Sequence, residues 1–455
     1  MPTAYTILFL LLILVAAATW IIPAGSYDYV DGVPVAGTYH AVEQNPQGVG
    51  DVLKAAFSGF YDAVDVCIFI LMVGGFLGVV MKTGAVDAGV ANVIRLLGGR
   101  EKWLIPILML LFGLGGTTYG MWEETMAFYP LLIPVFLAAG YDAVVGISVI
   151  LLGAGAGVIA STVNPFATGI AAGFAGVSLG EGIVLRLLEW VAFEAAAIWF
   201  VMAYAARIKR NPSKSVVGVG AGKIQVTMDQ QVPFTAKRKV IMAFFTLTFL
   251  IMVYAVVPFD EMGLPLPTLG WWFPELSALF LVAGVVIGLI DRMSEEELVE
   301  TYVAGCADLL GVAFIIGISR GITVLMRDGA ITDTILHWGE AALSGAGAVS
   351  FTLLVFVLYL PLTILIPSSS GLATLSIPIV APLGKFAGVG GDLVVTAFQS
   401  ASGLVNIITP TAAVVMGALA LGHVPYDRWV KYVWKLMLWF LLLALVFLVA
   451  GVLLG

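Results

Sequence analysis

Long apolar runs, separated by short polar segments, follow one another along nearly the whole chain. Each run has about the length that a helix needs to cross a bilayer. The first run has no basic segment before it and no cleavage site, so we interpret it as a membrane helix rather than a signal peptide. Nine runs are predicted to be membrane spans, at about 4–22, 61–81, 143–177, 185–206, 240–258, 276–291, 304–326, 389–422 and 429–454.

Two further apolar runs, 103–140 and 348–386, do not fit this pattern. Each is too long for one span and too short for two spans with a loop between them. Each also has a polar, glycine-rich middle, at Gly115–Thr125 in the first and Pro367–Gly371 in the second. Irregular backbone at membrane depth is tolerated where it is buried in protein or lines a cavity. Both runs are therefore predicted to be re-entrant helical hairpins whose tips stop inside the membrane.

Two of the nine spans contain helix-start signals in their middle, at 161–166 and 406–411. Asn and Thr are common N-cap residues, and Pro165 and Pro410 suit the first helical position, where no N–H is needed. Each span is therefore predicted to stop, unwind and restart inside the membrane. Two such breaks in corresponding places of two halves are typical of a transporter's binding site.

The basic residues are distributed unequally between the loops on the two sides. Sixteen of the 21 fall in one set of loops and four in the other, while Arg320 lies in the middle of a span. This asymmetry places the first set in the cytoplasm. We therefore predict a cytoplasmic N-terminus, an outside C-terminus, a first hairpin that enters from the cytoplasm and a second that enters from outside. Segment 207–239 is then a cytoplasmic linker, interpreted as an orientation signal in preference to an anionic-lipid site.

Residues of the first half recur in the second half at a spacing of 245 or 246 positions. The matching pairs are Gly59 with Gly305, Asp62 with Asp308, Gly75 with Gly321, Gly84 with Gly329, Ala85 with Ala330 and Pro165 with Pro410. Because the second copy begins on the opposite side of the membrane, the repeat is predicted to be inverted.

The predicted fold is an all-α polytopic membrane protein, built as an inverted repeat with two re-entrant helical hairpins and two broken transmembrane helices. Its N-terminal half, 1–206, includes the first repeat at 51–206. Its C-terminal half, 240–455, includes the second repeat at 296–455.

The composition agrees with a membrane protein, since 61% of the residues are hydrophobic and 11% are charged. The net charge of −8 says little, because the placement of charge is what sets orientation. The sequence has no nucleotide-binding glycine loop, no nucleophile–base pair and no metal-ligand spacing among its three histidines and two cysteines. We therefore predict neither an enzyme, nor a resident cofactor, nor a nucleic-acid partner.

The hairpin tips and the breaks provide the candidate binding chemistry. A half-helix N-terminus offers free N–H groups and about half a positive charge, and the unwound segment before it offers carbonyls. If tips and breaks meet near the midplane, four helix starts surround one cavity. The predicted substrate ligands are Glu123, Glu124, Thr125, Asn164, Ser368, Ser369, Ser370, Asn406 and Thr409. A coupling Na⁺ is predicted near Ser161, Thr162, Asn164, Ser402, Asn406 and Thr409, with H⁺ as the alternative coupling ion.

Glu123 and Glu124 are the sharpest of these candidates, because ionisable residues at membrane depth are costly and usually functional. Three roles stay open: binding an ammonium group, which we favour, carrying a coupling proton, or complementing the helix start. Arg320 has two alternatives. It is either a counter-ion to a glutamate or to Asp308, which is the favoured role, or a ligand for a substrate carboxylate.

Four motifs resemble a known family, the YfcC-like branch of the anaerobic C4-dicarboxylate carriers, over residues 1–450. They are Gly120–Thr125, Asn164–Ala171, Pro367–Gly371 and Thr409–Thr411. The resemblance implies the ion-transporter superfamily, whose members are typically homodimers with a scaffold and an elevator-like transport part.

One departure from the superfamily bears on the substrate. Its dicarboxylate symporters carry Ser-Asn-Thr at both tips, whereas this chain has Glu-Glu-Thr at the first tip and Ser-Ser-Ser at the second. Carboxylates at a tip would repel a dianion. The YfcC-like branch is associated with basic amino acids, which fits the glutamates better.

The predicted function is a secondary active transporter in a bacterial or archaeal cytoplasmic membrane, working by elevator-type alternating access. The favoured substrate is a basic amino acid or similar amine-bearing solute, and the alternative is a C4-dicarboxylate coupled to Na⁺ or H⁺. A channel would need a continuous pore, and an intramembrane enzyme a nucleophile with its base. Spans 4–22, 240–258 and 276–291 are predicted to supply a scaffold and the contact of a homodimer.

Overall fold

The computed structural model describes residues 4–30, 33–86, 88–89, 92, 100–118, 120–178, 180–218, 233–256, 259 and 265–454. This part of the chain is almost entirely helical. Its α-helices are α1 (Ala4–Ala18), α2 (Val49–Asp62), α3 (Val64–Lys82), α4 (Leu104–Thr118), α5 (Tyr129–Ala138), α6 (Ala143–Ile159), α7 (Ile170–Ala175), α8 (Ile183–Arg210), α9 (Ala236–Val256), α10 (Phe273–Asp291), α11 (Glu295–Asp328), α12 (Thr332–Leu343), α13 (Ala348–Leu365), α14 (Ser369–Phe386), α15 (Gly391–Asn406), α16 (Ala413–Leu421) and α17 (Tyr426–Leu454). Three 3₁₀ segments lie at Glu101–Trp103, Glu123–Phe128 and Pro212–Lys214, and one π segment at Pro165–Gly169.

The loop after α1 carries four two-residue strands that pair in two antiparallel ribbons. Strand β1 (Gly25–Ser26) pairs with β4 (His40–Ala41), and β2 (Tyr29–Val30) pairs with β3 (Val33–Pro34). The Tyr29 hydroxyl donates to both carboxylate oxygens of Asp333 on α12, at 2.8 and 2.9 Å. Burial, followed by the hydrogen bond and the charge of Asp333, raises the pKa of Tyr29, which keeps this donor protonated. The loop is thereby fastened to the helix that precedes the second predicted hairpin.

Five of the described helices are both long enough and apolar enough to cross a membrane: α3, α10, α11, α13 and α17. Helices α1 and α6 are apolar but shorter. The prediction of a polytopic helical membrane protein is confirmed at this level. Helix α13 lies within run 348–386 and matches a full span in length, although the sequence assigns it to a hairpin arm.

Two predicted spans have different ends in the structure. The run predicted at 61–81 is split at Ala63, where φ is −123° and α2 gives way to α3. The run predicted at 304–326 is the middle of the 34-residue helix α11. This helix begins earlier because Ser294 caps it by accepting a hydrogen bond from the Glu297 N–H at 3.1 Å.

Both spans with internal helix-start signals are interrupted. Helix α6 ends at Ile159 and helical structure resumes with the π segment at Pro165, followed by α7. Helix α15 ends at Asn406 and α16 begins at Ala413. We call residues 160–164 the first break and residues 407–412 the second break.

The two predicted hairpins are pairs of helices joined by short irregular tips. The first joins α4 to α5 through residues 119–128, of which Tyr119 lies outside the described residues. The second joins α13 to α14 through residues 366–368. At the first tip the expected α-helical start at Glu123 is instead a 3₁₀ turn. The α-helix begins at Tyr129, next to Pro130, because proline is favoured in a helix's first turn.

The non-helical part of the predicted linker 207–239 is shorter than the sequence suggests. Helix α8 extends to Arg210 and α9 begins at Ala236. Residues 219–232 of the linker lie outside the described residues.

Small residues let two pairs of helices cross closely. In the first crossing, α2 and α3 lie against α11: a Cβ added at Gly59 would be 2.1 Å from the carbonyl oxygen of Gly317, and one at Gly74 would be 2.5 Å from that of Gly305. In the second, the two interrupted helices meet just before their breaks, where a Cβ on Gly403 would be 2.6 Å from the Ile159 Cα. Such close approach is the usual role of small residues in membrane helix packing.

Candidate functional site

The first hairpin tip turns back on itself at Gly120. This residue has φ of +77°, a left-handed conformation that glycine adopts without strain. A Cβ there would also lie 2.5 Å from the Asn164 side-chain nitrogen, so no larger residue fits without a shift. The Met121 N–H donates to the Gly115 carbonyl at 3.1 Å and closes the turn. The first tip therefore rests directly on the first break, as the sequence predicts for tip and break.

The adjacent glutamates of this tip have different environments. Glu124 is buried, and its Oε2 accepts a hydrogen bond from the Trp122 N–H at 3.1 Å, so it complements the start of the 3₁₀ turn. Thr125 is buried too, and its hydroxyl donates to the Trp122 carbonyl at 2.5 Å. Glu123 instead faces a cavity. The helix-start role thus describes Glu124 and Thr125, while Glu123 is available to a ligand.

The cavity beside Glu123 has a volume of about 40 Å³. It lies where the first tip, helix α11, the second tip and the second break meet. Its polar and tip-forming lining residues include Trp122, Glu123, Ser319, Arg320, Pro367 and Thr411. The positive charge of Arg320 acts on Glu123 across this space. The volume holds only a few water molecules, so the cavity is too small for an amino acid in this conformation. We call it the tip cavity.

The second tip contributes to the tip cavity through Pro367 rather than through its serines. Ser368 caps α14, because its Oγ accepts from the Gly371 N–H at 3.3 Å. Its Oγ also lies 3.4 Å from the Ser370 Oγ. Ser368, Ser369 and Ser370 are all half-buried, and none of them lines the tip cavity. These three predicted ligands therefore lie beside the cavity rather than on its wall.

The first break is fastened to the end of α4 by Thr117. The Thr117 hydroxyl donates to the Ala160 carbonyl at 2.7 Å, and its oxygen accepts from the Thr162 N–H at 3.2 Å. The Thr117 carbonyl accepts from the Thr162 N–H at 2.8 Å and from its hydroxyl at 2.9 Å. Asn164 caps the restarting helix by accepting from the Ala167 N–H at 3.3 Å. Both Thr162 and Asn164 thus have structural partners in this conformation.

The second break is fastened by residues of other helices. The Trp429 indole N–H donates to the Ile407 carbonyl at 3.1 Å, and the Tyr426 hydroxyl donates to the Ile408 carbonyl at 2.8 Å. The Ser319 hydroxyl, from α11, donates to the Thr411 carbonyl at 2.5 Å. Within the break, the Thr409 and Thr411 hydroxyls are 2.8 Å apart.

Three predicted ion ligands have buried oxygens with no hydrogen-bond partner in the described part of the chain. They are Ser161 Oγ, Ser402 Oγ and Asn406 Oδ1. All three belong to the interrupted helices or their breaks, and buried oxygens normally have a partner. Hydroxyl and amide oxygens are hard ligands, which suit a dehydrated alkali cation better than a transition metal. Among the described residues there is no cluster of three His, Cys, Asp or Glu side chains that could hold a metal ion.

Tip and break also meet across the two halves. The 3₁₀ segment of the first tip contacts α16, which follows the second break, and α14 of the second hairpin contacts the π segment that follows the first break. The sequence pattern did not single out Thr117, Ser319 or Trp429 as the residues that hold the breaks. A hydroxyl in an apolar helix is common, so only the contact partner reveals the role.

A much larger cavity, about 1140 Å³, is lined by other residues of α11 and α16. On α11, Ile315 lines the large cavity and Ile316 lines the tip cavity. On α16, Met416 lines the large cavity and Val414 lines the tip cavity. The polar lining residues of the large cavity include His423, Asp427 and Arg428. A further cavity of about 540 Å³ shares Asp308 and Pro130 with it. Asp308 thus lines an open vestibule, about three helical turns from Arg320, rather than pairing with it.

Comparison with known proteins identifies the family to which this sequence belongs. The model of the C4-dicarboxylate anaerobic carrier family matches residues 1–453. An uncharacterised protein of Haemophilus influenzae is 35% identical, covering 99% of this chain and 97% of its own length. A protein of Escherichia coli named as the putative basic amino acid antiporter YfcC is 30% identical, covering 95% of this chain and 92% of its own.

Two solved structures of membrane transporters also align over nearly the whole chain. The YdaH transporter of Alcanivorax borkumensis is 15% identical with a TM-score of 0.45, covering 98% of both chains. The MtrF efflux pump of Neisseria gonorrhoeae is 18% identical with a TM-score of 0.43, covering 98% of this chain and 94% of its own. The family resemblance read from the four motifs is confirmed by the full-length family match, and the chain is a membrane transporter rather than an enzyme. It belongs to the C4-dicarboxylate anaerobic carrier family.

Proposed function

We propose that the protein is a secondary active transporter that moves a basic amino acid, or a similar amine-bearing solute, across the bacterial cytoplasmic membrane by elevator-type alternating access. The observation that carries the substrate class is the tip cavity, where Glu123 and Arg320 face the same space. A carboxylate and a guanidinium on opposite sides of a site can bind the ammonium and the carboxylate of one amino acid. The name of the Escherichia coli relative agrees with this class.

The tip cavity must open for a substrate to enter. At about 40 Å³ it is far below the size of an ordinary ligand pocket. We infer that the cavity of about 1140 Å³, which is lined by Tyr5 near the N-terminus and by Arg428, provides the entry route from one face. By the distribution of basic residues, that face is the cytoplasm. We infer that substrate enters from this face and that the tips must separate for it to reach Glu123.

An inverted repeat is supported by the positions of the two close crossings. Cys67 contacts the Ala313 carbonyl at 3.5 Å, and these residues are 246 positions apart, the spacing of the repeat. On either side of them, Gly59 contacts Gly321. The repeat counterparts of these two residues are Gly305 and Gly75, and Gly305 contacts Gly74, the residue next to Gly75. Reciprocal contacts of this kind are expected around a pseudo-twofold axis.

The second crossing has the same property. Ile159 and Gly403 are in contact and are 244 positions apart, one residue from the repeat spacing of 245. The axis thus passes through both crossings. We infer that the two hairpins enter the membrane from opposite faces, with the N-terminus in the cytoplasm and the C-terminus outside. An elevator needs a fixed part, which we assign to α1, α9 and α10 in a homodimer.

The coupling ion is proposed to be Na⁺ or H⁺. For Na⁺, the buried oxygens of Ser161, Ser402 and Asn406 fit as ligands, with the hydroxyl and carbonyl groups of Thr162 and Thr409 close by in sequence. The alternative substrate is a C4-dicarboxylate, as the family description suggests. The tip cavity argues against it, because Arg320 could balance one carboxylate while Glu123 repels the other.

The experiment compares substrates that differ by one charged group in proteoliposomes. Wild-type protein should exchange L-arginine in counterflow, with saturation, and should ignore succinate, with Na⁺ present or absent. Arg320→Gln should weaken arginine binding by about tenfold or more, yet leave agmatine, which lacks the carboxylate, nearly unaffected. Counterflow of succinate in preference to arginine would overturn the substrate proposal, and equal losses for arginine and agmatine would remove Arg320 from its role.

A further inference from the structure

Glu194 is a buried acidic residue, distant in sequence from the tip glutamates, to which the sequence pattern assigns no role. It lies on α8, is 2% exposed, and is far in sequence from either tip. Both of its carboxylate oxygens are buried without a hydrogen-bond partner within the described residues. The nearby indole of Trp190, one turn earlier, acts on the carboxylate but does not reach hydrogen-bond geometry.

Within the described residues, no charged group faces this carboxylate from the elements that pack most closely on α8. Helices α4 and α6 contain no titratable residue at all. On α17 the contact at this level is Phe440, which packs on Phe193 at 4.8 Å, and the charged residues of that helix end at Lys435. On α8 itself, two charged residues, Arg186 and Glu189, lie toward the N-terminal end. Toward the C-terminal end lie Tyr204 and the basic residues from Arg207 onward. The 3₁₀ segment 212–214 that also contacts α8 adds Lys214 beyond that end.

An ionised carboxylate in such surroundings would be strongly unfavourable, because burial without a partner costs several kcal/mol even when the bilayer adapts. The neutral acid avoids most of that cost. Glu194 therefore holds a proton in this conformation.

Glu194 also touches the first hairpin. A Cβ added at Gly113 would lie 2.3 Å from Glu194 Oε2, so the carboxyl group rests on the backbone of α4 where glycine leaves room. Gly113 is four residues, about one helical turn, before Thr117, which holds the first break. A change in the charge of Glu194 would thus act on the helix that carries both the tip and the anchor of the break.

We propose that Glu194 is a proton-binding site that couples proton movement to the displacement of the first hairpin. When α4 leaves α8, water reaches the carboxyl group, and the acid releases H⁺ to water and becomes a carboxylate. When α4 returns, the carboxylate must take up H⁺ before it can be buried again. This inference rests on the proposed transport function, and it assigns the coupling proton to Glu194 rather than to the tip glutamates.

The test compares proton-driven uptake with exchange in proteoliposomes that contain a pH-sensitive dye and radiolabelled L-arginine. Glu194→Gln should reduce arginine accumulation driven by a pH gradient, and arginine-evoked proton flux, on the order of tenfold or more. Arginine counterflow, which needs no net proton movement, should stay near the wild-type rate. Glu194→Asp keeps the acid and should retain the coupling, and Glu43→Gln, an exposed carboxylate, is the matched control. Proton-driven uptake by Glu194→Gln at the wild-type level would overturn the proposal.

A second measurement needs no substrate and keeps the two proposals separable. Infrared spectra of the wild-type protein near neutral pH should contain the C=O band of a protonated carboxylic acid, and this band should be lost in Glu194→Gln but not in Glu43→Gln. A spectrum unchanged by Glu194→Gln contradicts the proton site. If the band behaves as expected but the wild type exchanges no arginine, the substrate proposal fails while the proton site stands.

Discussion

The two breaks arise from similar sequence signals 245 positions apart, but they are held in different ways. The first break is bound to the end of its own hairpin, where Thr117 makes hydrogen bonds to Ala160 and Thr162 through both its side chain and its backbone. The second break has no such anchor from its own hairpin among the described hydrogen bonds. It is bound by Tyr426 and Trp429 of α17 and by Ser319 of α11.

We infer from this difference which parts would move together in the proposed elevator. A break that is tied to its own hairpin must travel with it, so the first tip, α4 and the first break form one unit. The second break joins α17 to α11, and α11 belongs to the close crossing with α2 and α3. We expect the Ser319–Thr411 contact to lie between the moving part and the fixed part of the proposed elevator.

The largest effect on stability is expected from Thr117→Val, which keeps the shape of the side chain but removes its hydrogen bonds. The Ala160 carbonyl would lose its buried donor, while the Thr162 N–H would keep only the Thr117 carbonyl, at a cost of about 2–3 kcal/mol. Thr118→Val is the control, because the Thr118 hydroxyl bonds only to the Leu114 carbonyl of its own helix. Denaturation midpoints and arginine counterflow should both fall for Thr117→Val. Equal stability of the two variants would show that the first break does not depend on this anchor.

A smaller effect is expected from Trp429→Phe at the second break. Trp429 is fully buried, and the change leaves the Ile407 carbonyl without its indole donor, which costs about 1–3 kcal/mol. Trp434→Phe on the same helix removes an indole that is 47% exposed and should cost little. If both variants unfold at the same denaturant concentration, the indole does not hold the break.

The smallest change in stability, but a distinctive change in rate, is expected from Ser319→Ala. One neutral hydrogen bond contributes about 1 kcal/mol. If this bond must break when the elevator moves, its loss should speed arginine counterflow by up to about fivefold. Ser277→Ala removes a buried hydroxyl that bonds within its own helix and serves as the control. A counterflow rate that changes no more than in the control would place both partners in the same moving part.

The sequence predicts the framework of this molecule well, because its signals are local. Apolar length identifies α3, α10, α11 and α17 as spans, and the Asn-Pro and Thr-Pro signals locate the two interruptions to within a few residues. Glu123 and Arg320 could both be singled out, since ionisable residues within apolar runs are rare. That they face one cavity depends on tertiary packing, which no local pattern encodes.

Other details of the site also depend on tertiary packing. The sequence predicts Ser368, Ser369 and Ser370 as ligands because serine suits both a helix cap and a polar site, and in this structure Ser368 caps α14. Glu124 likewise closes the tip through the Trp122 N–H while its neighbour reaches the cavity. Composition cannot distinguish adjacent side chains that a turn directs to opposite sides.

The central claim is that Glu123 binds the cationic group of the substrate, and calorimetric titration of L-arginine tests it most directly. Glu123→Gln keeps the size of the side chain but removes its charge, and should lower arginine affinity on the order of a hundredfold, or about 2.7 kcal/mol. Glu43→Gln makes the same substitution at an exposed position and should bind like the wild type. An arginine affinity that is unchanged in Glu123→Gln would contradict the account. A succinate affinity of this variant that exceeds its arginine affinity would also contradict it.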